Sequence, residues 1–282
     1  MKVCAIVVTY NPKISQFHDY LKSNMKQVYD IIIVDNSDDY QLKKQVSSLY
    51  MYGNIDIISL KMNYGIAYAQ NIGIKKAIEK NMYEFILFLD QDSMLCVDAI
   101  KLYMDYFKIL DGQYKVACLG VGSFNNMGSI RRGAVEVQEL LSSGSFVPIP
   151  VLKDVGTMDD TMFIDFVDFE WCWRAISKGY KIFSISEIAL IHTEAESISR
   201  FFGQKLAIPV PVRHYYQYRN FLNLLKKSYV PKRWKIIKSL KMIIKIPVYI
   251  VVAKEKYKRL KYIFNGIKDF FLGKDGKCKV LY

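Results

Sequence analysis

The chain has 282 residues, of which 51% are hydrophobic and 24% are charged, and this ordinary mixture excludes a wholly disordered or low-complexity protein. Its length fits one large domain or two modest ones. The five cysteines include no C-x-x-C pair, which argues against a zinc site or a disulfide framework and favours a reducing compartment.

The formal net charge of +13 is concentrated at the C-terminal end. Residues 1–212 hold 21 Lys and Arg against 24 Asp and Glu, whereas residues 213–282 hold 19 against 3. Such a basic region predicts a polyanionic neighbour, either nucleic acid or an anionic membrane surface. Its apolar run at 246–253 is far shorter than the roughly 20 residues that cross a bilayer. The apolar run at 3–8 is too short for a signal peptide.

Short β-rich runs alternate with helical patterns through the first 121 residues. We predict strands at 3–8, 31–34, 55–60, 85–89 and 116–121. We predict helices at 14–28, after Asp38, at 67–80 and at 97–110. This alternation predicts an α/β fold of right-handed βαβ units around a mostly parallel sheet, in which ligands bind beyond the carboxyl ends of the strands.

The regular alternation stops after Gly122. Residues 123–150 predict loops and hairpins because they are rich in Ser, Gly and Asn. Beyond them we predict a helix at 167–178, short strands at 180–184 and 188–192, and helices from Tyr215 onward that Pro231 and Pro247 interrupt.

Carboxylates follow two of the predicted strands. Asp35 ends the second strand, where it either accepts the imide N–H of uracil or thymine or caps the next helix. Asp90-Gln91-Asp92 leaves the fourth strand. Its two carboxylates form either a compact oxygen site for Mg²⁺ or Mn²⁺ or an ordinary turn.

The segment Asn63–Gly73 opens a predicted helix with small residues. Small residues let a ligand approach the backbone closely, and a helix N-terminus favours a nearby phosphate. Gly65, Ala69 and Gly73 recur every four residues, so the same face also predicts tight packing against the sheet.

A second acidic segment begins the next predicted helix after the loop region. Asp168 is placed there to act either as a general base facing a cleft or as a helix N-cap. Glu170 and Arg174 are four residues apart and suit an ion pair. Trp171 suits stacking on a sugar or filling the core. His192, at the end of a predicted strand, is a candidate third metal ligand.

Taken in order, these segments resemble the family 2 inverting glycosyltransferases of the GT-A fold, over about residues 3–195. The matching pieces are Val7-Val8-Thr9-Tyr10-Asn11, Val34-Asp35-Asn36-Ser37, the Asn63–Gly73 segment, Leu89-Asp90-Gln91-Asp92-Ser93, Ser142-Ser143-Gly144-Ser145, Asp168-Phe169-Glu170-Trp171-Cys172-Trp173-Arg174 and His192. The pieces that look like the rhamnosyltransferase branch are Leu89–Ser93, Ala69–Ile74 and Tyr215-Tyr216-Gln217-Tyr218-Arg219-Asn220. Each piece is weak by itself, and the ordered set is specific.

The resemblance implies a role for each matched residue. Asp168 would deprotonate the acceptor hydroxyl, and Asp35 would hold the nucleobase. The other implied contacts to a nucleotide-diphospho-sugar are Thr9, Tyr10, Asn11, Asn63, Gly65, Asn71, Asp90 and Gln91. The implied ligands of Mn²⁺ or Mg²⁺ are Asp92, Asp90 and His192. The implied acceptor-side residues are Ser143, Gly144, Glu170 and Trp171.

Two positions depart from the family pattern. Many members carry Arg where Gln70 stands, so a positive charge near the donor is missing here. Many carry an adjacent Glu-Asp pair where this chain has Val167-Asp168, which leaves Asp168 as the candidate base at that position and Glu170 as its alternate. The chain also lacks a serine nucleophile elbow and a G-x-G-x-x-G run after the first strand, which argues against covalent catalysis and a dehydrogenase.

The resemblance implies an inverting, metal-assisted enzyme that moves L-rhamnose from dTDP-L-rhamnose to a lipid-linked or growing surface-polysaccharide acceptor. We expect a GT-A catalytic domain at 1–212 and basic helices at 213–282. These helices would attach to anionic lipids at the cytoplasmic face of a bacterial plasma membrane. Under this interpretation no nucleic acid is expected, and a homodimer stays open. The alternatives are a UDP-hexose donor, a silent nucleotide-sugar binder, a nucleic-acid-binding protein that uses the basic region, and a solvated basic helix packed on the body.

Overall fold

The computed structural model describes residues 1–38, 54–124, 132–192, 197–201 and 204–279. The strands are β1 (Val3–Thr9), β2 (Asp30–Asp35), β3 (Ile55–Ser59), β4 (Phe85–Asp90), β5 (Ser93–Leu95), β6 (Val116–Phe124), β7 (Ala134–Val137), β8 (Phe146–Pro148), β9 (Lys181–His192), β10 (Ser197–Phe201) and β11 (Gln204–Ile208). The helices are α1 (Ile14–Met25), α2 (Ile66–Glu79), α3 (Ala99–Asp111), α4 (Ile149–Val155), α5 (Val167–Ser177), α6 (Pro211–Lys226), α7 (Lys232–Val252) and α8 (Lys256–Phe271).

A mixed sheet forms the centre of the molecule, in the order β3-β2-β1-β4-β8-β6-β9-β5, with β7 also paired to β9. The strands β3, β2, β1 and β4 are mutually parallel, and β6 is parallel to β9. β8 runs antiparallel between β4 and β6. The predicted α/β fold with a largely parallel sheet is therefore confirmed.

Helices cover both faces of this sheet. Along β1 the side chains alternate, so that Ile6 enters the core under α2 and α5 while Ala5 and Val7 enter the core under α1 and α3. Burial on both faces explains why the parallel strands read as unbroken apolar runs.

The strand register brings the polar ends of three strands to one edge. Thr9 pairs with Asp35 across β1 and β2, and Val8 pairs with Asp90 across β1 and β4. The carboxyl ends of these neighbouring parallel strands therefore lie side by side, as the sequence predicts for a ligand-binding edge.

The region after Gly122 holds more regular structure than the sequence indicates. β7 and β8 lie within residues predicted as loops and hairpins. Before this region, the short strand β5 directly after Asp92 is also not predicted. The two strands predicted at 180–184 and 188–192 are one strand, β9, because tertiary partners satisfy the polar residues between them. Ser184 donates to the Val121 carbonyl, and Glu187 accepts from Tyr106 and from the Gly133 backbone.

The C-terminal region is helical, as predicted, with two differences. α6 begins at Pro211 instead of Tyr215, and α7 continues through Pro247 instead of ending there. The β10–β11 hairpin before α6 is not predicted by the sequence pattern. The helix predicted after Asp38 lies outside the described residues. Within the described ranges, none of the helices combines the length and the hydropathy that a transmembrane span requires.

The C-terminal helices pack closely on one another. α8 crosses α6 at Gly266, where a Cβ atom would lie 2.4 Å from the Tyr215 carbonyl oxygen. Only glycine permits this approach without a shift of the backbone. Tyr215 also donates to the Asp269 carboxylate across the same crossing. The helix α6 is thereby held between α8 and the sheet-bearing body.

Candidate active site

Asp35 is buried at the carboxyl end of β2, with a relative exposure of 1%. Its Oδ1 accepts hydrogen bonds from Thr9 Oγ1 at 3.0 Å and from Ser37 Oγ at 2.6 Å. Its Oδ2 is buried and has no hydrogen-bond partner among the described residues. Leaving such an atom unpaired costs about 1–3 kcal/mol, so Oδ2 suits an N–H group of a bound ligand.

The loop after β1 connects the three strand ends. Asn11 has a φ of 45°, in the left-handed region that asparagine tolerates, and its backbone N–H donates to Ser37 Oγ at 2.8 Å. The Tyr10 backbone N–H donates to Gln91 Oε1 at 2.7 Å, while the Tyr10 ring is exposed. Tyr10, Asn11 and Gln91 therefore lie on the same edge as Asp35.

The turn before α2 is built by asparagine side chains. Asn63 Oδ1 accepts from the Gly65 backbone N–H at 2.9 Å and from Asn36 Nδ2 at 3.0 Å. Gly65 has a φ of 94°, and a Cβ there would lie 2.5 Å from the Phe163 carbonyl oxygen. A side chain at this position would be strained and would also collide with the segment that precedes α5.

The rest of the α2 face serves packing. A Cβ at Gly73 would lie 2.6 Å from the Ile6 side chain, so this glycine sits directly on β1 as the packing alternative predicts. Asn71 is occupied by the Met158 backbone, to which it donates and from which it accepts at 2.9 Å. This pair of bonds ties α2 to the loop at Met158.

A cavity of about 580 Å³ lies beside the end of β4 and brings Asp90 together with Asp168. Its lining is formed by Ile66, Gln70, Asp90, Phe124, Leu141, Ser142, Ser143, Ile164, Asp165, Phe166, Val167, Asp168, Phe169 and Arg213. Asp90 comes from the end of β4 and Asp168 from the first turn of α5, 78 positions later in the chain. Two carboxylates of separate elements thus face one space large enough for a sugar.

The pKa of the Asp168 carboxyl is raised to about 6, mainly by burial and to a smaller extent by the negative charge of Asp90. The Phe169 backbone N–H donates to Asp168 Oδ1 at 3.0 Å and opposes the rise. Asp168 is not the N-cap of α5, because Phe166 occupies that position. A carboxyl with this pKa is ionised at neutral pH and is a stronger base than an ordinary aspartate.

The Ser142–Ser145 segment supports the end of β4. Ser143 Oγ accepts from the Asp90 backbone N–H at 3.0 Å and donates to Ser93 Oγ at 2.9 Å. The Gly144 backbone N–H donates to the Phe88 carbonyl at 2.8 Å. Ser143 lines the cavity, whereas Gly144 holds the strand behind it.

Glu170 and Trp171 point into the protein and do not line the cavity with Asp168 and Arg213. Glu170 is buried and pairs with Arg174 at 3.0 Å, and it also accepts from Tyr229. The Trp171 indole N–H donates to the Gly156 carbonyl at 2.9 Å within the core. Glu170 thus forms the ion pair that the sequence offered as its alternative role. Trp171 likewise fills the core, whereas the resemblance placed both residues on the acceptor side.

The side chains at this edge of the sheet include oxygen donors of the kind that a divalent metal prefers. Asp90 and the half-buried Asp92 offer carboxylate oxygens at the mouth of the sheet edge, and such donors suit Mg²⁺ or Mn²⁺ with phosphates and water completing the shell. The described residues contain no group of three or more His, Cys, Asp or Glu side chains that could hold a metal alone. The backbone of His192 pairs with Ser93 next to Asp92, and its side chain lies outside the described part.

Sequence patterns miss one ion pair of the cavity. Arg213, from the first turn of α6, donates to Asp165 Oδ1 at 2.5 Å, and both residues line the cavity with Asp168. The two are 48 positions apart, and neither belongs to a recognisable motif. Only the packing of α6 against the segment before α5 brings them together.

Comparisons with known proteins agree with this arrangement. The family model described as Glycosyl transferase family 2 matches residues 4–152. The dTDP-rhamnosyl transferase RfbF of Shigella flexneri is 30% identical over 275 residues, which cover 92% of each chain.

Solved structures share the fold at low sequence identity. S. aureus TarS superposes with a TM-score of 0.64 at 19% identity, over 96% of this chain and 49% of that chain. GalNAc-T7, solved with UDP, GalNAc and Mn²⁺, superposes with a TM-score of 0.58 at 12% identity, over 96% of this chain and 56% of that one. The fold is that of the GT-A glycosyltransferases, and the resemblance drawn from the motifs is confirmed. The chain belongs to glycosyl transferase family 2 and is a nucleotide-sugar glycosyltransferase.

Proposed function

We propose that the enzyme transfers L-rhamnose from dTDP-L-rhamnose to a glycan or lipid-linked acceptor with inversion, and that Asp168 is the general base. The observation that carries this proposal is the shared cavity of Asp90 and Asp168 beside the strand ends that hold Asp35. The rhamnosyl relative that matches 92% of the chain supports the choice of sugar.

In the proposed reaction, Asp168 accepts the proton of an acceptor hydroxyl as that oxygen attacks the anomeric carbon. The bond from the anomeric carbon to the diphosphate breaks, and the nucleoside diphosphate leaves from the opposite face, which inverts the configuration. The raised pKa of Asp168 suits it to hold a proton during the step and still start in the ionised form at neutral pH.

The donor would lie along the edge formed by β1, β2 and β4. Asp35 Oδ2 would accept the imide N–H of thymine, which supplies the partner that this buried oxygen lacks among the described residues. Asp92 and Asp90 would hold Mn²⁺ or Mg²⁺ against the diphosphate, and His192 is proposed as a further ligand. When bound, such a cation stabilises the negative charge of the leaving diphosphate.

A thermal-shift screen of nucleotide sugars tests the donor. Because thymine and uracil offer the same imide N–H, we expect both dTDP and UDP to raise the melting temperature, and dTDP-L-rhamnose with Mn²⁺ to raise it most. Release of dTDP in the presence of an acceptor then measures turnover. A larger shift and faster release with UDP-hexoses would replace the rhamnosyl assignment by the UDP-hexose alternative.

We also propose that residues 1–212 are the catalytic domain and that the basic region 213–282 attaches the enzyme to an anionic membrane. The outer face of α7 carries an apolar stripe of Ile236, Leu240, Ile243 and Ile244, each between 57% and 65% exposed. Lys232, Arg233 and Lys241 are exposed on the same helix. An apolar stripe flanked by cations suits the interface of a bilayer with anionic headgroups, and it supports attachment at the cytoplasmic face of a bacterial membrane.

Replacing the four stripe residues by serine should abolish binding to vesicles that contain about one-third anionic lipid. The physical reason is loss of buried apolar area, at roughly 25 cal/mol per Å². Co-sedimentation with vesicles measures binding, and turnover on a soluble acceptor should stay unchanged. Serine at the exposed Val97, Ile109 and Val135 provides the matched control.

Three results would contradict the membrane proposal. Undiminished vesicle binding by the quadruple variant would exclude the stripe as the attachment site. A change from dimer to monomer in light scattering, without any vesicle binding by the wild type, would identify the stripe as a homodimer interface. Tight, salt-dependent binding to DNA by the wild type would instead favour the nucleic-acid alternative.

A further inference from the structure

The segment that leads into α5 is strained. Phe163, Asp165 and Phe166 all have positive φ angles, between 66° and 69°, although none is a glycine. At Phe163 the chain forms a γ-turn of the rare positive-φ form, with a ψ of −61° and a hydrogen bond of 2.8 Å from the Ile164 N–H to the Met162 carbonyl. Positive φ angles are unfavourable for residues with a Cβ atom, so surrounding contacts must hold the segment in place.

Those contacts come from two adjacent side chains of α6, Arg219 and Asn220, which both have an exposure of 0%. Asn220 Nδ2 lies 2.8 Å from both the Met162 and the Ile164 carbonyl oxygens and 3.2 Å from that of Asp165. Asn220 Oδ1 accepts from Arg219 at 3.2 Å, which fixes the orientation of the amide.

Arg219 donates both to the strained segment and to the C-terminal segment of the chain. One terminal nitrogen, Nη2, donates to the Thr161 and Met162 carbonyls at 3.1 Å. The other, Nη1, donates to the Gly276 carbonyl at 2.7 Å, which ties the C-terminal segment to the same point. The planar guanidinium can make these bonds at once because its donors form a rigid fork.

The strained segment determines where two cavity residues lie. Asp165 carries the ion pair with Arg213, and Phe166 is the N-cap from which α5 places Asp168 two residues later. The Phe163 carbonyl also accepts from the Ile66 N–H at 2.8 Å, next to Gly65 at the start of α2. One short segment thus sets the relation of Asp168 to both the α2 turn and the Arg213–Asp165 pair.

We propose that Arg219 and Asn220 are positioning residues, which hold the segment 161–166 in its strained form and thereby aim Asp168 at the acceptor hydroxyl. This inference rests on the proposed role of Asp168 as general base. Because Arg219 and Asn220 belong to α6, the proposal gives this C-terminal helix an indirect part in transfer. A positioned base loses effectiveness when its geometry shifts by about 1 Å.

A double-mutant cycle tests the proposal. Asn220→Asp keeps the shape and the contact to Arg219 but replaces the Nδ2 group by an oxygen, so the amide N–H donors to the three carbonyls are lost. We expect kcat per donor-binding site, counted by calorimetric titration of dTDP, to fall at least ~30-fold while the donor KM stays within about twofold. In the Asp168→Asn background the same change should lower kcat less than about threefold, because its effect acts through Asp168.

Asn223→Asp, on the same helix, is the matched control and should leave kcat and KM unchanged. If Asn220→Asp does not fold, Arg219→Lys makes the same test, since a lysine keeps the charge and loses the fork. An unchanged kcat per site, or losses that multiply in the double variant, would overturn the positioning role while leaving the base assignment intact. If Asp168→Asn itself has wild-type turnover, the base assignment fails and the positioning role falls with it.

Discussion

Asp168→Asn should lower kcat by at least ~10² while leaving the affinity for the donor within about twofold. The amide has nearly the shape of the carboxyl and can still accept from the Phe169 N–H, so the α5 turn should persist. It cannot accept a proton from the acceptor hydroxyl. Steady-state kinetics for turnover and calorimetry with dTDP for binding separate the two effects, and an equal loss of both would contradict the assignment of Asp168 as base.

The same residue should set the pH dependence of the wild type. Because the pKa of Asp168 is raised to about 6, kcat should fall below that pH as the base becomes protonated. Burial favours the protonated form in the folded state, so ionised Asp168 lowers the free energy of unfolding at higher pH. Asp168→Asn should therefore melt at a higher temperature than the wild type at pH 8, and this gain should disappear below about pH 4.

Glu170→Gln distinguishes Asp168 from its neighbour on the same helix. Glu170 is buried against Arg174 and Tyr229, so removing its charge should lower the melting temperature through the loss of that pairing. The kcat of Glu170→Gln, counted per folded molecule, should stay within a few-fold of the wild-type value. A large loss of kcat with an unchanged melting temperature would instead favour Glu170 as the base.

Asp35→Asn should weaken dTDP binding about 10- to 150-fold, which corresponds to the 1.5–3 kcal/mol of a hydrogen bond to a charged group. Thr9 and Ser37 donate to the Oδ1 side, so the amide oxygen of the variant should occupy that position. The Nδ2 group of the variant then takes the place of Oδ2. Two hydrogen-bond donors, Nδ2 and the imide N–H of the base, would face each other. Calorimetry with dTDP and UDP measures the loss.

The variant should also change the preference among bases. Cytosine has an acceptor where thymine has its imide N–H, so CDP should lose less affinity than dTDP or should gain some. Asp56→Asn, on the neighbouring strand β3, makes the same chemical change at a partly exposed pair with Lys80 and should bind dTDP as the wild type does. Unchanged dTDP binding by Asp35→Asn would show that the base lies elsewhere.

Local patterns predict much of the sheet and the residues at its edge. The apolar runs of β1, β2 and β4 are long enough to identify buried parallel strands, and a polar residue at the end of each run marks the binding edge. Asp35, Asp90 and Asp168 could be selected because each follows or begins such an element within a recognisable motif. The packing of α2 on β1 at Gly73 follows from the four-residue repeat of small residues in that helix.

At other positions tertiary partners outweigh local signals. Ser184 and Glu187 interrupt the apolar pattern of β9, yet the strand is continuous because distant groups bond to both residues. Asn71 matches a donor-binding motif, yet its amide is occupied by the Met158 backbone. Glu170 and Trp171 also match, yet both are turned into the core.

The sequence by itself determined the chemistry that each strand end can offer, because side-chain type and strand period are local properties of the chain. The tertiary structure alone decided which groups share a cavity, since Asp90, Asp168 and Arg213 belong to three elements that are far apart in the chain. The pKa of Asp168 belongs to the same class, because burial by distant residues sets it. The strained turn at Phe163 also depends on tertiary contacts, because no local pattern favours it. Arg219 and Asn220 hold this turn from 56 or more positions away in the chain.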